Sequence, residues 1–170
     1  DIFLGSDTQV GHDFAAVYSL SENANRIFPL LIGVNRRGTI QFWNKKTAFC
    51  RSEEIKNFYC GDDIRDIHET MVHAISGANF DLVLVAFHCT VLIDGRNERR
   101  WNLLLLKCNL DLTCKVLCKM EPPSSDLLLV SAQISVDQNT IYTIWETGTE
   151  VEKSPSLFYT YSFDIQNEDD

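Results

Sequence analysis

The sequence predicts a mainly β protein built of antiparallel hairpins, part of a WD40-like β-propeller with one short helix, and three observations carry that expectation. Apolar runs rich in Val, Ile, Phe, Tyr and Trp recur along the chain, and these residues suit a pleated, half-buried surface. Polar turns, several of them containing Gly, separate the runs. Within the best-defined run, apolar and polar residues alternate with a period of two, as a strand with one buried face requires.

Residues 27–43, IFPLLIGVNRRGTIQFW, give the first hairpin. An apolar run ends at Val34, Asn35-Arg36-Arg37-Gly38 supplies the turn, and Ile40 and Phe42 then alternate with Thr39, Gln41 and Trp43. The next segment breaks the pattern. Ile64, Ile67, Met71 and Ile75 fall three and four residues apart, which predicts an amphipathic helix over 62–75. Asp62-Asp63 would cap its start, and Gly77 lies just beyond its end. Residues 80–88 (FDLVLVAFH) predict a strand, Asp94 to Glu98 a polar excursion, and residues 101–107 (WNLLLLK) the return. Cys114 to Met120 adds a further strand. Residues 126–136 and 140–145 (TIYTIW) predict two more, and a loop marked by Gly148 and Pro155 leads to the last, residues 156–163 (SLFYTYSF).

Return strands begin near 38, 101 and 156, a spacing of roughly 55 to 65 residues against ~40–50 for a WD40 or kelch blade. Inserted loops account for such lengthening. A β-sandwich also has many short strands, but it has no need of three similar hairpins. Residues 1–170 are therefore expected to form a single domain, or two to three blades of a propeller. A closed propeller has at least about four blades, so the edges would be covered by the rest of the protein or by a partner.

Composition narrows the function. Hydrophobic residues make up 45% of the 170 and charged residues 23%, the balance of a folded domain with a sizeable core. A net charge of −9 argues against direct binding of nucleic acid or anionic membrane. The basic pairs Arg36-Arg37, Lys45-Lys46 and Arg99-Arg100 sit beside predicted turns and read as solvated hairpin tips. No apolar run approaches the ~18 residues of a transmembrane segment. Residues 1–12 lack the pattern of a signal peptide, and the start at Asp1 fits a chain cut from a longer one. Six cysteines (50, 60, 89, 108, 114 and 118) and the lack of any Asn-x-Ser/Thr site suggest an intracellular protein with reduced thiols.

Chemistry-bearing patterns are sparse. His68-Glu69-Thr70-Met71-Val72-His73 resembles a zinc-protease signature with one residue too many. On a regular helix its two rings would diverge by roughly 140°, so they would not share a metal. Cys108, Cys114 and Cys118 lack the close spacing of a zinc knuckle, and an extended 114–118 would put two sulfurs on one face about 13 Å apart. His88-Cys89 are strand neighbours that point to opposite faces, wrong for a base and its nucleophile. Ser76-Gly77 belongs to no nucleophile elbow, the glycines are too scattered to cradle phosphate, and Glu53-Glu54 reads as a solvated turn. No catalytic, cofactor-binding or metal-binding residue is predicted, and no enzymatic activity. Trp43, Trp101 and Trp145 lie at strand ends, where core packing is the plain reading and an exposed partner anchor the functional one.

The hairpins also carry a resemblance. GTIQFW (Gly38 to Trp43), NFDLVLVAFH (Asn79 to His88), WNLLLLKCNLD (Trp101 to Asp111), DLLLVSAQIS (Asp126 to Ser135) and TIYTIW are similar to the β-propellers of scaffold nucleoporins. These are the large outer-ring subunits of the Y-shaped nuclear pore complex, which join a propeller to an α-helical solenoid. The resemblance implies a non-catalytic scaffold at the nuclear envelope, serving mRNA and protein transport, with other protein subunits as partners and no cofactor. Adaptor propellers of coat, kinetochore and ciliary complexes share such patterns. A hydrolase using His68, Glu69 or His73 is the rival from another class.

Overall fold

The computed structural model describes residues 14–20, 30–44, 50–58, 63–124, 126–147 and 157–165. Eleven strands and one 3-10 turn account for most of them, in three antiparallel sheets laid down in chain order. The first sheet is β1 (Phe14–Leu20), β2 (Leu30–Asn35), β3 (Thr39–Asn44) and β4 (Cys50–Glu54), and the 3-10 turn Ile55–Phe58 follows it. The central sheet is β5 (Asp63–Ser76), β6 (Phe80–Ile93), β7 (Arg96–Asn109) and β8 (Cys114–Met120). The last sheet is β9 (Leu127–Ile134), β10 (Thr140–Thr147) and β11 (Phe158–Asp164). Each is a meander in which sequential strands are neighbours. No helix among the described residues is long and apolar enough to cross a membrane.

Burial explains the layering. The central sheet is covered on both sides, so β6 is buried without a break from Asp81 to Phe87 and β7 from Trp101 to Leu106. Strands buried on both faces lose the alternation of one-sided strands and read as continuous apolar runs. One face of the central sheet (Val83, Val85, Phe87, Leu104, Leu106) joins Leu30, Ile32, Ile40 and Phe42 of the first sheet in one core. Its other face (Leu82, Leu84, Leu103, Leu105) joins Leu129, Ile141 and Trp145 of the last sheet in a second. The first strands of successive sheets approach one another, β1 against β5 and β5 against β9.

Turn chemistry fixes the registers. Asp94 (φ 49°) and Gly95 (φ 77°) form the two-residue β6–β7 turn, both left-handed, as a hairpin of that length prefers. Gly38 (φ 84°) closes the β2–β3 turn by donating its N–H to the Asn35 carbonyl at 3.1 Å. The Asn35 side chain accepts from the N–H groups of Arg37 and Thr39. The same closure recurs with non-glycine residues at Leu112 (φ 68°) and Gln138 (φ 63°). Each is supported by an aspartate: Asp111 accepts from the Thr113 hydroxyl and N–H, and Asp137 from the Ser135 hydroxyl and the Asn139 N–H. Those bonds hold both carboxyls below the usual carboxylate range.

Three expectations need correction. Residues 63–76 form strand β5, with no α-helix there. Register shifts between Ile64 and Asp66, and between Ile67 and Glu69, mark β-bulges. Each inserts one residue, so Ile64 and Ile67 share the first core although they lie three apart. Met71 and Ile75 enter the second core. The helical spacing is therefore the mark of a bulged strand packed on both faces. Secondly, the polar excursion 94–98 shrinks to a two-residue turn, and its charged residues extend β7. Thirdly, Cys108 and Cys114 form a disulfide where reduced thiols were expected. The β7–β8 register sets them opposite one another. A further bulge, at Leu117 on β8 opposite Leu105 and Leu106, puts Cys114 with the first core and Cys118 with the second, so they do not share a face.

Candidate interaction surface

The last sheet differs from the central one in having one buried face. Along β9 and β10 buried and exposed residues alternate. Leu127, Leu129, Ile134, Ile141 and Trp145 face the central sheet, and Trp145 is fully buried with its indole N–H donated to the Thr143 hydroxyl at 2.7 Å. That hydroxyl donates in turn to the Tyr161 carbonyl at 3.2 Å.

The opposite face carries a stripe of large apolar side chains in the open. Leu128, Glu146 and Phe158 lie in one cross-strand row, Ser131, Ile144 and Thr160 in the next, and Gln133, Tyr142 and Ser162 in a third. Val130 sits at the bulge between the first two rows. Exposure runs from 40% at Ile144 through 44% at Leu128 and Val130 to 56% at Tyr142 and 63% at Phe158. Single exposed apolar residues are ordinary, but a contiguous stripe across three strands is a candidate interaction surface. Its charge is one-sided. Among the described residues this sheet and its turns hold Asp126, Asp137, Glu146 and Asp164, and no Lys or Arg.

The side chains singled out in the sequence fall elsewhere. His68 Nε2 lies 2.9 Å from the Thr90 hydroxyl, and its ring centroid is 5.6 Å from that of His88. His88 stacks on Trp101, with centroids 5.4 Å apart. Burial, and secondarily the charge of His68, lowers the His88 pKa, against an opposing pull from Glu69. His73 lies five residues further along the strand, roughly 15 Å at β-strand rise, and packs toward Tyr18 and β9 instead. His68, Glu69 and His73 therefore do not converge on one point. Among the described residues no group of three His, Cys, Asp or Glu side chains is placed to hold a metal ion.

Cys89 is buried on the face opposite His88 and accepts a hydrogen bond from Asn102 Nδ2 at 3.3 Å. Burial pushes the Cys118 thiol up, which makes it a poor nucleophile. Trp101 and Trp145 are core residues, as the plain reading expected, while Trp43 is half-buried on the first sheet, opposite Leu31. Arg36 and Arg37 are exposed at the β2–β3 turn, and Arg100 reaches Glu121 at 3.7 Å. Ser76-Gly77 belongs to the β5–β6 turn, where the Gly77 N–H donates to the Phe80 carbonyl at 2.7 Å. A Cβ on Gly77 would stand 2.8 Å from that oxygen. Glu53 and Glu54 lie in β4, paired with Arg51 and the Thr39 hydroxyl respectively. Lys45-Lys46, Asp62 and residues 148–156 lie outside the described residues.

Sequence reasoning missed the open stripe. Its signal was present, because Leu127-Leu128-Leu129-Val130 is too apolar for a strand with one face in water. Comparison with protein-family models, with curated proteins and with solved structures gives no match.

Proposed function

We propose that the chain supplies three consecutive blades of a WD40-like β-propeller and acts as a non-catalytic scaffold that binds other protein subunits. The observation that carries the reading is the arrangement of the sheets. Three meanders stack face to face in chain order with their first strands side by side, as blades do around a propeller axis. In this reading the open stripe of the last sheet is where the stack continues. Its occupant is a fourth antiparallel sheet with an apolar face, the kind of surface that already covers both sides of the central sheet. The acidic rim calls for Lys or Arg around that face.

The hairpin sequences that resemble outer-ring nucleoporin propellers support placing the scaffold in the nuclear pore complex. Affinity purification of the full-length protein from cells, with mass spectrometry of what co-purifies, tests this. Stoichiometric recovery of outer-ring subunits is the expected result. A different stable complex would overturn the nucleoporin assignment and leave the propeller. A protein that comes through alone would overturn the scaffold role.

A further inference from the structure

The imidazole of His73 lies where the three sheets meet. On β5 it packs edge-on against the Tyr18 ring of β1, with centroids 5.2 Å apart. Its Nδ1 accepts the backbone N–H of Ile134 on β9 at 3.1 Å. β9 is an outermost strand of the last sheet, and Ile134 lies opposite Ile141 on its other side. The N–H on the free edge has no strand to bond, and a buried backbone donor needs a partner. The histidine supplies it. A further side-chain hydrogen bond ties the same two sheets, from Gln138 Nε2 to the Ser76 carbonyl at 3.1 Å.

We propose that His73 is a pH-sensitive latch on the free edge of the last sheet, closed while the ring is neutral, that lets go of the Ile134 amide on protonation. A neutral imidazole accepts at one nitrogen and carries its proton on the other, so the bond fixes the proton on Nε2. The imidazolium has N–H at both positions. It would present a donor to the Ile134 donor, and the bond is lost.

The surroundings make the device depend on one ring. From β1 the titratable group facing it is the Tyr18 phenol, from β6 its register partner is Leu84, and from β9 it meets the Ile134 amide. Burial alone lowers its pKa below the ordinary 6.5, and no charged side chain contributes. The latch is therefore closed at neutral pH and opens in acid. Its contribution is complete above the unfolded-state pKa and is lost as pH falls through the lower folded-state value.

The test follows two signals in the isotopically labelled chain from pH 8 to pH 5 by nuclear magnetic resonance. These are the His73 ring and the Ile134 amide. The expected result is one shared midpoint below 6.5, an unprotonated Nδ1 at pH 8, and about tenfold loss of Ile134 exchange protection across the titration. In His73→Asn the side-chain oxygen takes the place of Nδ1 and does not titrate, so the amide should stay flat. An Ile134 amide that ignores the wild-type ring titration overturns the proposal, as does a protonated Nδ1 at pH 8. Those two readouts need no variant.

Discussion

Truncating Leu104 and Leu105 to alanine, one at a time, distinguishes a sheet packed on both faces from one packed on a single face. The two are neighbours on β7, both 0% exposed, and they enter different cores. Leu104 shares the first core with Val85, Phe87 and Ile32. Leu105 shares the second with Leu84, Ile141 and Trp145. Each truncation removes three carbons, a transfer loss of about 2.4 kcal/mol at ~0.8 kcal/mol per carbon. Two hydrogen-bonded sheets enclose each site, so collapse around the cavity is limited and the expected cost rises to about 3–4 kcal/mol apiece. Ile144→Ala, on the open face and already 40% exposed, should cost less than about 1 kcal/mol. Urea unfolding at constant m reads all three as midpoint shifts. A cost below about 1 kcal/mol at either leucine would refute the two-sided burial.

Four further outcomes follow from named contacts. Gly38→Ala should destabilise more than Gly95→Ala. Both have positive φ, but a Cβ at 38 meets Ile67 Cδ1 at 3.1 Å, while nothing lies within 4 Å at 95. Thermal melts should show about 1 kcal/mol at 95 and more at 38. Replacing Cys108 and Cys114 by serine should lower stability by about 2 kcal/mol, as expected for so short a closed loop; a reductant should do the same to the wild type and nothing to the variant. Trp145→Phe should cost about 2 kcal/mol in urea melts, from a lost hydrogen bond and unfilled space. His73 and His88 both have pKa values depressed below 6.5, mainly by burial. The unfolded chain then binds more protons than the native one in mild acid. Unfolding midpoints should be level above about pH 7 and fall as pH drops below 6.5.

The hairpin at 30–44 was legible because its turn and its alternation agree: Gly38 stands where the chain turns left-handed, and Ile40 and Phe42 fill one face. The continuous runs of β6 and β7 were legible as strands too. Their meaning, burial on both faces, needed a second covering layer that no local pattern reveals. The bulges were the chief obstacle. At Ile64 and Ile67 they convert a strand into an apparent helix, and at β8 they move Cys118 away from Cys114. A bulge depends on pairing with the neighbouring strand, so period counting along one strand does not detect it. The Cys108–Cys114 bond was hidden similarly, since a separation of six acquires meaning only once the β7–β8 register is known. The open stripe required knowing which side of β9 and β10 meets the central sheet.

The most direct test of the propeller reading, in which a fourth sheet covers the open face, is a photo-crosslink from that face. A benzophenone amino acid placed at Tyr142, in the middle strand of the stripe, is activated in cells expressing the full-length protein. A second variant carries it at Glu98, which is exposed far from the stripe on β7. The account predicts one dominant adduct from position 142, mapping to a β-strand segment with apolar side chains and basic neighbours, and none from position 98. No adduct at 142, or the same scattered adducts from both positions, would contradict it.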